Sequence, residues 1–290
     1  MPGLQVRKVL ITGADGQLGH ELVRATIAAG HEVIATSHET LDITDKTAVD
    51  AVITETRPDV VIHAAAWTAV DACESDPEKA LLVNGTATKF IADAARAVGA
   101  HVVYISTDYV FDGSKTSAYD ESDATNPQSV YGSSKLAGER ALGATDAIVR
   151  ISWVCGFYGA NMVKTILRLA EQPQLKFVDD QIGNPTFADD AAEMIVRLAI
   201  EKRPGTWHVT NQGEVSWYEF AREVLIAGGF DAGKVVPIKT HELQPPRPAT
   251  RPFNSVLNNA SLKNAGIALL PDFREPLARL VSQIQRNERG

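Results

Sequence analysis

The first half of the chain alternates short apolar runs with stretches in which apolar residues recur at helical spacing. We predict strands over 8–12, 31–36, 59–63, 101–106 and 147–151. Helices are predicted between and beside them, over 17–29, 46–55, 77–98 and 129–142. The third strand has an uninterrupted apolar centre, which is typical of a strand covered on both faces. The alternation predicts an α/β fold with a doubly wound parallel sheet.

The second half of the chain is less regular. Strands are predicted over 175–179 and 206–210, and helices over 189–200, 216–227 and 271–285. Gln244–Pro248 contains three prolines and is predicted to be a stiff, extended loop. We expect a sheet domain over residues 1–155 and about 175–210. A smaller, partly interleaved region over about 156–174 and 211–290 is expected to form the other wall of a cleft.

A glycine-rich segment follows the first predicted strand and opens the first helix. Its glycines recur at every third position. Such glycines permit a tight turn and close backbone approach to a phosphate, which the N–H groups of the helix start can bind. An ordinary glycine-containing loop is the alternative, but the order strand, turn, helix disfavours it. We predict a Rossmann-like dinucleotide site that includes Gly13, Asp15, Gly16, Gln17, Leu18 and Gly19.

The loops after the second and third strands add candidate cofactor contacts. Thr36-Ser37-His38 lacks the carboxylate that would hold a ribose 2′-hydroxyl and repel a 2′-phosphate. No arginine lies nearby, however, and Asp15 would oppose a phosphate, so we predict a modest preference for NADPH with NADH as an alternative cofactor. The pair Asp42-Ile43 also fits ordinary loop chemistry. The alanines at 64–66 also fit tight packing against a helix. The candidates in these loops are Ser37, Asp42, Ile43, Ala64, Ala65 and Ala66.

A tyrosine and a lysine stand one helical turn apart, at Tyr131 and Lys135. On one helix face, the ammonium would stabilise a phenolate and lower a tyrosine pKa that is near 10 in water. A phenol tuned in this way can act as a general acid. Thr107, after the fourth strand, could hydrogen-bond a reacting carbonyl oxygen. A solvent-exposed Tyr–Lys pair is common, but together with the glycine segment this group predicts catalysis of hydride and proton transfer, with Tyr131 and Lys135 also contacting the cofactor.

The composition argues against several other classes of function. The net charge of −8 disfavours a nucleic-acid binder, which needs a basic face. No apolar run approaches the roughly 20 residues of a membrane span. Seven scattered histidines and two cysteines show no metal-ligand spacing, so no metal site is predicted. Because two cysteines make no disulfide framework and Lys8 already begins a strand, which leaves no room for a signal peptide, we expect a cytoplasmic protein.

The chain resembles the extended short-chain dehydrogenase/reductase family and, within it, the dTDP-4-dehydrorhamnose reductases. Besides the glycine segment, the shared blocks are 57–71, 106–113, 130–139, 150–154, 180–186 and 251–257. The resemblance implies NADPH-dependent reduction of a dTDP-linked 4-keto-6-deoxysugar, with Thr107, Tyr131 and Lys135 as catalytic residues. Its substrate-side residues would include Asp108, Tyr109 and Trp153. Thr68 and Arg251 lie in shared blocks, and Asn161 and Trp153 follow the fifth strand, where a substrate wall is expected, although Trp153 also suits a core position.

Two other hypotheses stay open at this point. Related dehydratases carry Thr-Asp-Glu where this chain has Thr107-Asp108-Tyr109, and the missing carboxylate favours simple reduction. One alternative is reduction of another nucleotide-linked 4-keto-6-deoxysugar, since the sequence identifies neither base nor stereochemistry. The other is a non-catalytic NADP-binding regulatory subunit like that of methionine adenosyltransferase, which resembles the same family. Some family members form homodimers around magnesium held by glutamates; those ligands cannot be assigned here, so a homodimer is left open.

Overall fold

The computed structural model describes residues 6–289. Within this range the strands are β1 (Lys8–Thr12), β2 (Glu32–Thr36), β3 (Val60–His63), β4 (His101–Thr107), β5 (Ala147–Ile151), β6 (Val154–Cys155), β7 (Leu175–Val178), β8 (Ile182–Gly183), β9 (Thr186–Phe187), β10 (Gly205–His208), β11 (Val215–Ser216) and β12 (Val235–Ile238).

The helices over the same residues are α1 (Gln17–Ala28), α2 (Lys46–Thr56), α3 (Val70–Ser75), α4 (Pro77–Leu81), α5 (Ala87–Val98), α6 (Val130–Glu139), α7 (Met162–Leu169), α8 (Ala188–Ile200), α9 (Trp217–Gly228), α10 (Ala260–Asn264) and α11 (Arg274–Arg289). A π-helical turn, Leu82–Thr86, joins α4 to α5. Short 3₁₀ turns are formed by Asp108–Val110, Ala232–Lys234 and Thr240–Glu242.

The central sheet is parallel and has the strand order β10-β5-β4-β3-β1-β2. Strand β1 lies between β2 and β3, so that Thr12 is opposite both Thr36 and His63. The chain therefore leaves β1 in one direction to form β2 and then crosses to the other side to form β3. At such a switch point the carboxyl ends of the strands open a crevice for a ligand. This arrangement confirms the predicted doubly wound α/β fold.

Helices cover both faces of the sheet, which explains the apolar runs of its strands. Val9 and Ile11 point to the face covered by α1 and α8, whereas Leu10 points to the face covered by α2 and α5. All three side chains are fully buried. The alternation follows from the two-residue period of a strand, and burial on both sides explains the apolar residues at positions 9–11 of β1.

A separate apolar cluster underlies the C-terminal half of the chain. Helices α7, α9 and α11 pack around Phe187, Phe220 and Phe273, which are all buried. Strands β7 and β12 form a small parallel pair against the same cluster. The division of the chain into two domains remains a proposal, which is supported by the separation of this cluster from those on the two faces of the sheet.

The structure differs from the predicted helices at several places. The predicted helix over 77–98 is interrupted by the π-helical turn, where Asn84 accepts the Trp67 N–H at 2.8 Å and donates to Ser134 Oγ at 3.0 Å. Helices α3 and α7 were not predicted. The last helix begins at Arg274 rather than at Pro271. The π-helical turn lets Asn84 tie the loop after β3 to α6, and no periodicity in the sequence reveals such a tie.

The contact between α1 and the turn that precedes it is testable through Gly19. A Cβ at Gly19 would lie 2.0 Å from the Gly13 carbonyl oxygen, whereas one at Gly16 would lie 3.1 Å from the same atom. Overpacking costs roughly 1–3 kcal/mol or more, and each kcal/mol shifts Tm by about 2–4 °C in a chain of this size. We expect Gly19→Ala to lower Tm by several degrees and Gly16→Ala, the matched control, to lower it much less. Equal Tm values in thermal unfolding would contradict this packing.

Candidate active site

The turn between β1 and α1 forms an anion cradle. Gly13 has a φ of +69°, which favours glycine, and a Cβ there would lie 2.7 Å from the backbone nitrogen of Ala65. Gly16 is the N-cap of α1 and provides no side-chain cap, and the first turn carries no acidic residue. The first N–H groups of α1 therefore have no side-chain partner at the N-cap. Free N–H groups at a helix start suit a pyrophosphate, so the residues present fit a dinucleotide cofactor.

Two cavities meet at this turn. The first has a volume of about 310 Å³ and lies between the glycine turn and the loops after β2 and β3. It brings together the predicted cofactor residues Gly13, Asp15, Gly16, Ser37, Asp42, Ile43, Ala64, Ala65 and Ala66. His38, Trp67 and Lys79 also line it, and the Lys79 ammonium lies 4.5 Å from the centre of the Trp67 ring. Lys79 was not predicted, because no local sequence pattern shows that α4 lies against the loop after β3.

The second cavity has a volume of about 430 Å³ and shares Gly13, Gly16, Ala64 and Ala66 with the first. The two cavities therefore form one groove across the carboxyl edge of the sheet. The other predicted residues that line it are Gln17, Leu18, Gly19, Thr68, Thr107, Asp108, Tyr109, Tyr131, Lys135 and Trp153. Ser106, Ser152 and Trp217 line it as well and were not predicted.

The structure places Asn161 in a helix cap, outside the lining of both cavities. Its Oδ1 accepts the Lys164 N–H at 3.2 Å at the start of α7. Its Nδ2 donates to Gln17 Oε1 and to the Gly156 carbonyl oxygen, at 2.7 Å each. Both ends of the amide are thus engaged within the protein. Asn161 contributes to the groove only through the Gln17 side chain that it orients.

Arg251 also lies outside the lining of both cavities, and it holds a loop against α3. Its Nη1 and Nη2 donate to the two carboxylate oxygens of Asp71 at 2.6 and 2.7 Å. The Ala249 N–H donates to the same carboxylate at 3.1 Å. The hydrogen bonds from Arg251 lower the pKa of Asp71. This bidentate pair fixes the end of the proline-containing loop beside Tyr109, whose pKa the Arg251 charge lowers against the larger effect of burial.

Helix α6 brings Tyr131 into the second cavity. The Ser129 side chain caps the helix by accepting the Gly132 N–H at 3.1 Å. A Cβ at Gly132 would lie 2.2 Å from the Tyr109 carbonyl oxygen, so α6 packs closely on the 3₁₀ turn that follows β4. Tyr131 is 9% exposed, and burial raises its pKa well above the usual value, while a hydrogen bond with the Thr107 side chain lowers it. The phenol therefore keeps its proton at neutral pH.

The Lys135 side chain is held against the end of β4. Its ammonium donates to the Ile105 carbonyl oxygen at 2.6 Å and lies 4.1 Å from the centre of the Tyr104 ring. Burial lowers the pKa of Lys135 to about 7, and the nearby Glu139 carboxylate opposes that change. Burial thus disfavours the charged form of both groups, and the lowering of the Tyr131 pKa by Lys135 remains a prediction.

A buried ion pair lies beneath Lys135. Arg150 Nη2 and Nε donate to the two oxygens of Glu139 at 2.7 and 2.9 Å, and Ser106 Oγ donates to Glu139 Oε1 at 2.5 Å. Both charged side chains are almost completely buried. Breaking such a pair leaves an uncompensated charge and strongly destabilises a protein. The pair thus fixes α6 to β4 and β5 and places a carboxylate one helical turn from Lys135.

Asp108 is a buried carboxyl group at the floor of the second cavity. Thr107 Oγ1 donates to Asp108 Oδ1 at 2.9 Å and accepts the Tyr109 N–H at 3.2 Å. Burial raises the pKa of Asp108 to about 6, against hydrogen bonds from Ser255 and Thr107. A carboxyl group kept out of water in this way is costly to the folded state once it ionises.

The pH dependence of stability tests the burial of Asp108. Between about pH 4 and pH 6 the folded state retains a proton that the unfolded state has lost, so stability falls as pH rises through this window and the cost persists above it. We expect Asp108→Asn to remove this cost, which corresponds to roughly 3 kcal/mol at most. The difference in Tm between Asp108→Asn and the wild type should therefore be more positive at pH 8 than at pH 4.5.

The matched control for this experiment is Asp112→Asn. Asp112 is only half-buried, and hydrogen bonds from Ser114 and Tyr119 lower the pKa of its carboxyl group. Its replacement should therefore bring no gain in Tm at pH 8. If Asp108→Asn shows the same relative Tm at both pH values, Asp108 does not have the raised pKa described above.

The described residues also bear on membrane, metal and disulfide chemistry. Over residues 6–289, no helix combines the length and the apolar character needed to cross a membrane. In the same part of the chain, no group of three or more histidine, cysteine, aspartate or glutamate side chains is arranged to hold a metal ion. Cys73 and Cys155 are free and buried.

The groove runs from a dinucleotide cradle to a buried phenol, which is the architecture of the extended short-chain dehydrogenase/reductases, a class of nucleotide-dependent oxidoreductases. The comparison with protein families refines this class. The family described as the RmlD substrate binding domain matches residues 7–286, and the chain belongs to that family. This confirms the resemblance inferred from the shared sequence blocks.

Known proteins of this family are similar over nearly their whole length. A dTDP-4-dehydrorhamnose reductase of Burkholderia thailandensis is 41% identical, with 92% of this chain and 95% of the relative covered. The crystal structure of a dTDP-4-dehydrorhamnose reductase from Clostridium acetobutylicum has a TM-score of 0.92 at 43% identity, covering 96% of this chain and 99% of that one. A dTDP-4-dehydrorhamnose reductase from Bacillus anthracis, solved in complex with NADP, has a TM-score of 0.92 at 38% identity, with 96% and 100% covered.

Proposed function

We propose that this protein is a cytoplasmic enzyme that reduces the C4 ketone of dTDP-4-dehydro-L-rhamnose to dTDP-L-rhamnose with NADPH. The observation that carries this proposal is the single groove that joins the cradle at Gly13–Gly19 to Thr107 and Tyr131. The similarity to dTDP-4-dehydrorhamnose reductases supports the choice of substrate. Two free thiols are compatible with a reducing compartment. A homodimer remains a prediction.

In this proposal the cofactor spans the two cavities, and different residues hold each of its halves. The free N–H groups at the start of α1 bind the pyrophosphate. The loops at Ser37, Asp42-Ile43 and Ala64–Ala66 hold the adenosine half, because they line the first cavity. When bound, NADPH supplies the hydride that reduces the ketone. The remaining steps belong to side chains of the second cavity.

Tyr131 is the proposed proton donor to the alcohol oxygen. A reductase needs this group in its acid form, and the burial that raises the Tyr131 pKa keeps the phenol protonated at neutral pH. Thr107 lies beside it and is proposed to donate a hydrogen bond to the ketone oxygen, which requires its hydroxyl proton to turn away from Asp108. The two hydroxyls together then fix the position of the reacting oxygen.

Lys135 is proposed to hold the nicotinamide ribose and to limit the charge that develops on Tyr131. Its ammonium is held by the Ile105 carbonyl oxygen at the end of β4, in the lining of the second cavity. Burial lowers its pKa to about 7 against the effect of the Glu139 carboxylate, which favours the positive charge on Lys135. The buried Glu139–Arg150 pair therefore supports Lys135 from below.

The sugar is proposed to lie against the side chains that complete the second cavity. Thr68, Asp108 and Tyr109 line it on the side of the sheet domain, and Trp153 lines it on the side of the C-terminal region. Arg251 is proposed to act near the nucleotide end, where its pair with Asp71 holds the loop beside Tyr109. We do not propose Asn161 as a substrate contact, because its amide is engaged in the cap of α7.

The reaction itself tests the proposal. The protein is incubated with dTDP-4-dehydro-6-deoxy-D-glucose, the matching 3,5-epimerase and NADPH, and the product is identified by NMR. We expect dTDP-L-rhamnose together with oxidation of NADPH. Binding of NADPH without turnover would contradict the proposal and favour a regulatory subunit. Equally fast reduction without the epimerase would favour a different 4-keto-6-deoxysugar as substrate.

Removal of one hydroxyl tests the role of Tyr131. A positioned general acid contributes about 10²–10⁴-fold, so Tyr131→Phe should lower kcat by that factor. The dissociation constant of NADPH, measured by fluorescence titration, should stay within about twofold. Tyr119→Phe is the matched control, because Tyr119 is a buried tyrosine whose hydroxyl binds Asp112 outside the groove. A Tyr131→Phe enzyme with nearly full kcat would show that another group delivers the proton.

The first cavity predicts a modest preference for NADPH over NADH. Ser37, His38 and Lys79 can donate hydrogen bonds to a 2′-phosphate, whereas the carboxylates of Asp15 and Asp42 oppose it. We therefore expect both cofactors to support activity, with the higher kcat/KM for NADPH. Steady-state kinetics with each cofactor measure this ratio. A preference for NADH beyond about a hundredfold, or roughly 2.7 kcal/mol, is incompatible with this account.

A further inference from the structure

Trp153 lines the second cavity in a backbone conformation that side-chain-bearing residues rarely adopt. Its φ is +46°, in the left-handed region. Such conformations persist where the surrounding structure fixes them, and they cluster at functional sites. The packing around this indole therefore shows what holds it in place.

Trp217 stacks directly on Trp153. The ring centroids are 3.6 Å apart and the ring planes differ by 8°. Trp217 is the first residue of α9, where Ser216 and Glu219 form a capping box: the Ser216 hydroxyl accepts the Glu219 N–H at 3.1 Å, and the Ser216 N–H donates to the Glu219 carboxylate at 3.0 Å. These bonds set the direction in which the helix starts. The capped start of α9 thus orients the Trp217 side chain toward Trp153.

A second backbone contact confines the same indole. Strand β11 pairs antiparallel with β8, with Val215 opposite Gly183. A Cβ at Gly183 would lie 2.7 Å from Cε2 of Trp153, so the ring fits only against a glycine. The paired strands therefore fix both neighbours of Trp153, namely Gly183 in β8 and Trp217 directly after β11.

We propose that Trp217 is a positioning residue for the substrate: it holds Trp153 as a flat apolar wall on which the 6-deoxy side of the sugar packs. Both indoles line the second cavity, in which Thr107, Asp108 and Tyr131 provide the polar groups for the sugar oxygens. A methyl group loses no hydrogen bond against an indole face, whereas a hydroxyl at C6 would lose its hydration without a partner. The pair thus selects 6-deoxysugars. This inference rests on the proposed function and adds a residue and a basis for specificity to it.

The test compares Trp217→Ala and Trp217→Phe with the matched control Trp207→Phe. Trp207 is also buried, but it lies in β10, outside the groove. Its Nε1 donates to the carbonyl oxygen of Pro204, just before that strand. We expect Trp217→Ala to raise KM for the keto sugar roughly tenfold while the dissociation constant of NADPH is unchanged. Trp217→Phe should have a KM close to that of the wild type, because it keeps an aromatic face behind Trp153. The control should keep the wild-type KM.

Two further readouts separate positioning from simple packing. The exciton couplet of stacked indoles in the circular dichroism spectrum should disappear in Trp217→Ala and remain in Trp207→Phe. Inhibition by dTDP-6-deoxy-D-glucose and by dTDP-D-glucose gives a selectivity ratio that needs no turnover. This ratio should favour the 6-deoxy compound in the wild type and fall toward one in Trp217→Ala.

The outcomes distinguish this inference from the proposed function. Loss of the couplet with unchanged KM and unchanged inhibitor selectivity would overturn the role of Trp217 and leave the reductase activity standing. Absence of turnover in the wild type would overturn the proposed function instead. If Trp217→Ala does not fold, Trp217→Leu decides the matter, since it keeps apolar volume and removes the aromatic face. A raised KM in that variant supports the inference, and a wild-type KM overturns it.

Discussion

The close approach of α1 to the end of β1 is the contact on which the rest of the site depends. Gly19 touches the Gly13 carbonyl oxygen so closely that no side chain fits between them. This contact holds the start of α1 at the carboxyl edge of the sheet, and the glycine at its N-cap, Gly16, leaves that start without a side-chain cap. Both cavities are built around the same turn and share Gly13 and Gly16, so one ligand can reach from the loop after β2 to the side chains after β4.

The reaction end of the groove is shaped by burial more than by charge pairing. The Tyr131 phenol, the Lys135 ammonium and the Asp108 carboxyl group lie there almost without access to water. Burial raises the pKa of Tyr131 and Asp108 and lowers that of Lys135, so it favours the neutral form of each group. That environment suits reduction, in which Tyr131 must hold a proton until it is needed. It also costs stability, and the buried Glu139–Arg150 pair anchors α6, the helix that carries Tyr131 and Lys135.

Much of the fold and of the site could be predicted because strand periodicity and the glycine spacing are local signals. Residues that follow strands converge at one sheet edge, so Ser37, Ala64 and Thr107 were predicted to share the groove and do so. Trp217 was missed because a helix distant in sequence brings it there, and Lys79 was missed because no periodicity shows how α4 lies against the loop after β3. The spacing of Tyr131 and Lys135 indicates one helix face, but spacing carries no information on burial, which raises the Tyr131 pKa and lowers the Lys135 pKa.

The position to which the hydride is transferred tests the central claim most directly, namely that one groove aligns a nicotinamide with the C4 ketone of a dTDP-linked sugar beside Tyr131. The measurement uses NADPH deuterated at the transferred position of its nicotinamide ring, the keto sugar and the 3,5-epimerase, followed by NMR of the product. The account predicts dTDP-L-rhamnose that carries one deuterium at C4 of the sugar. A product with deuterium at another carbon, or an unlabelled product, would contradict it.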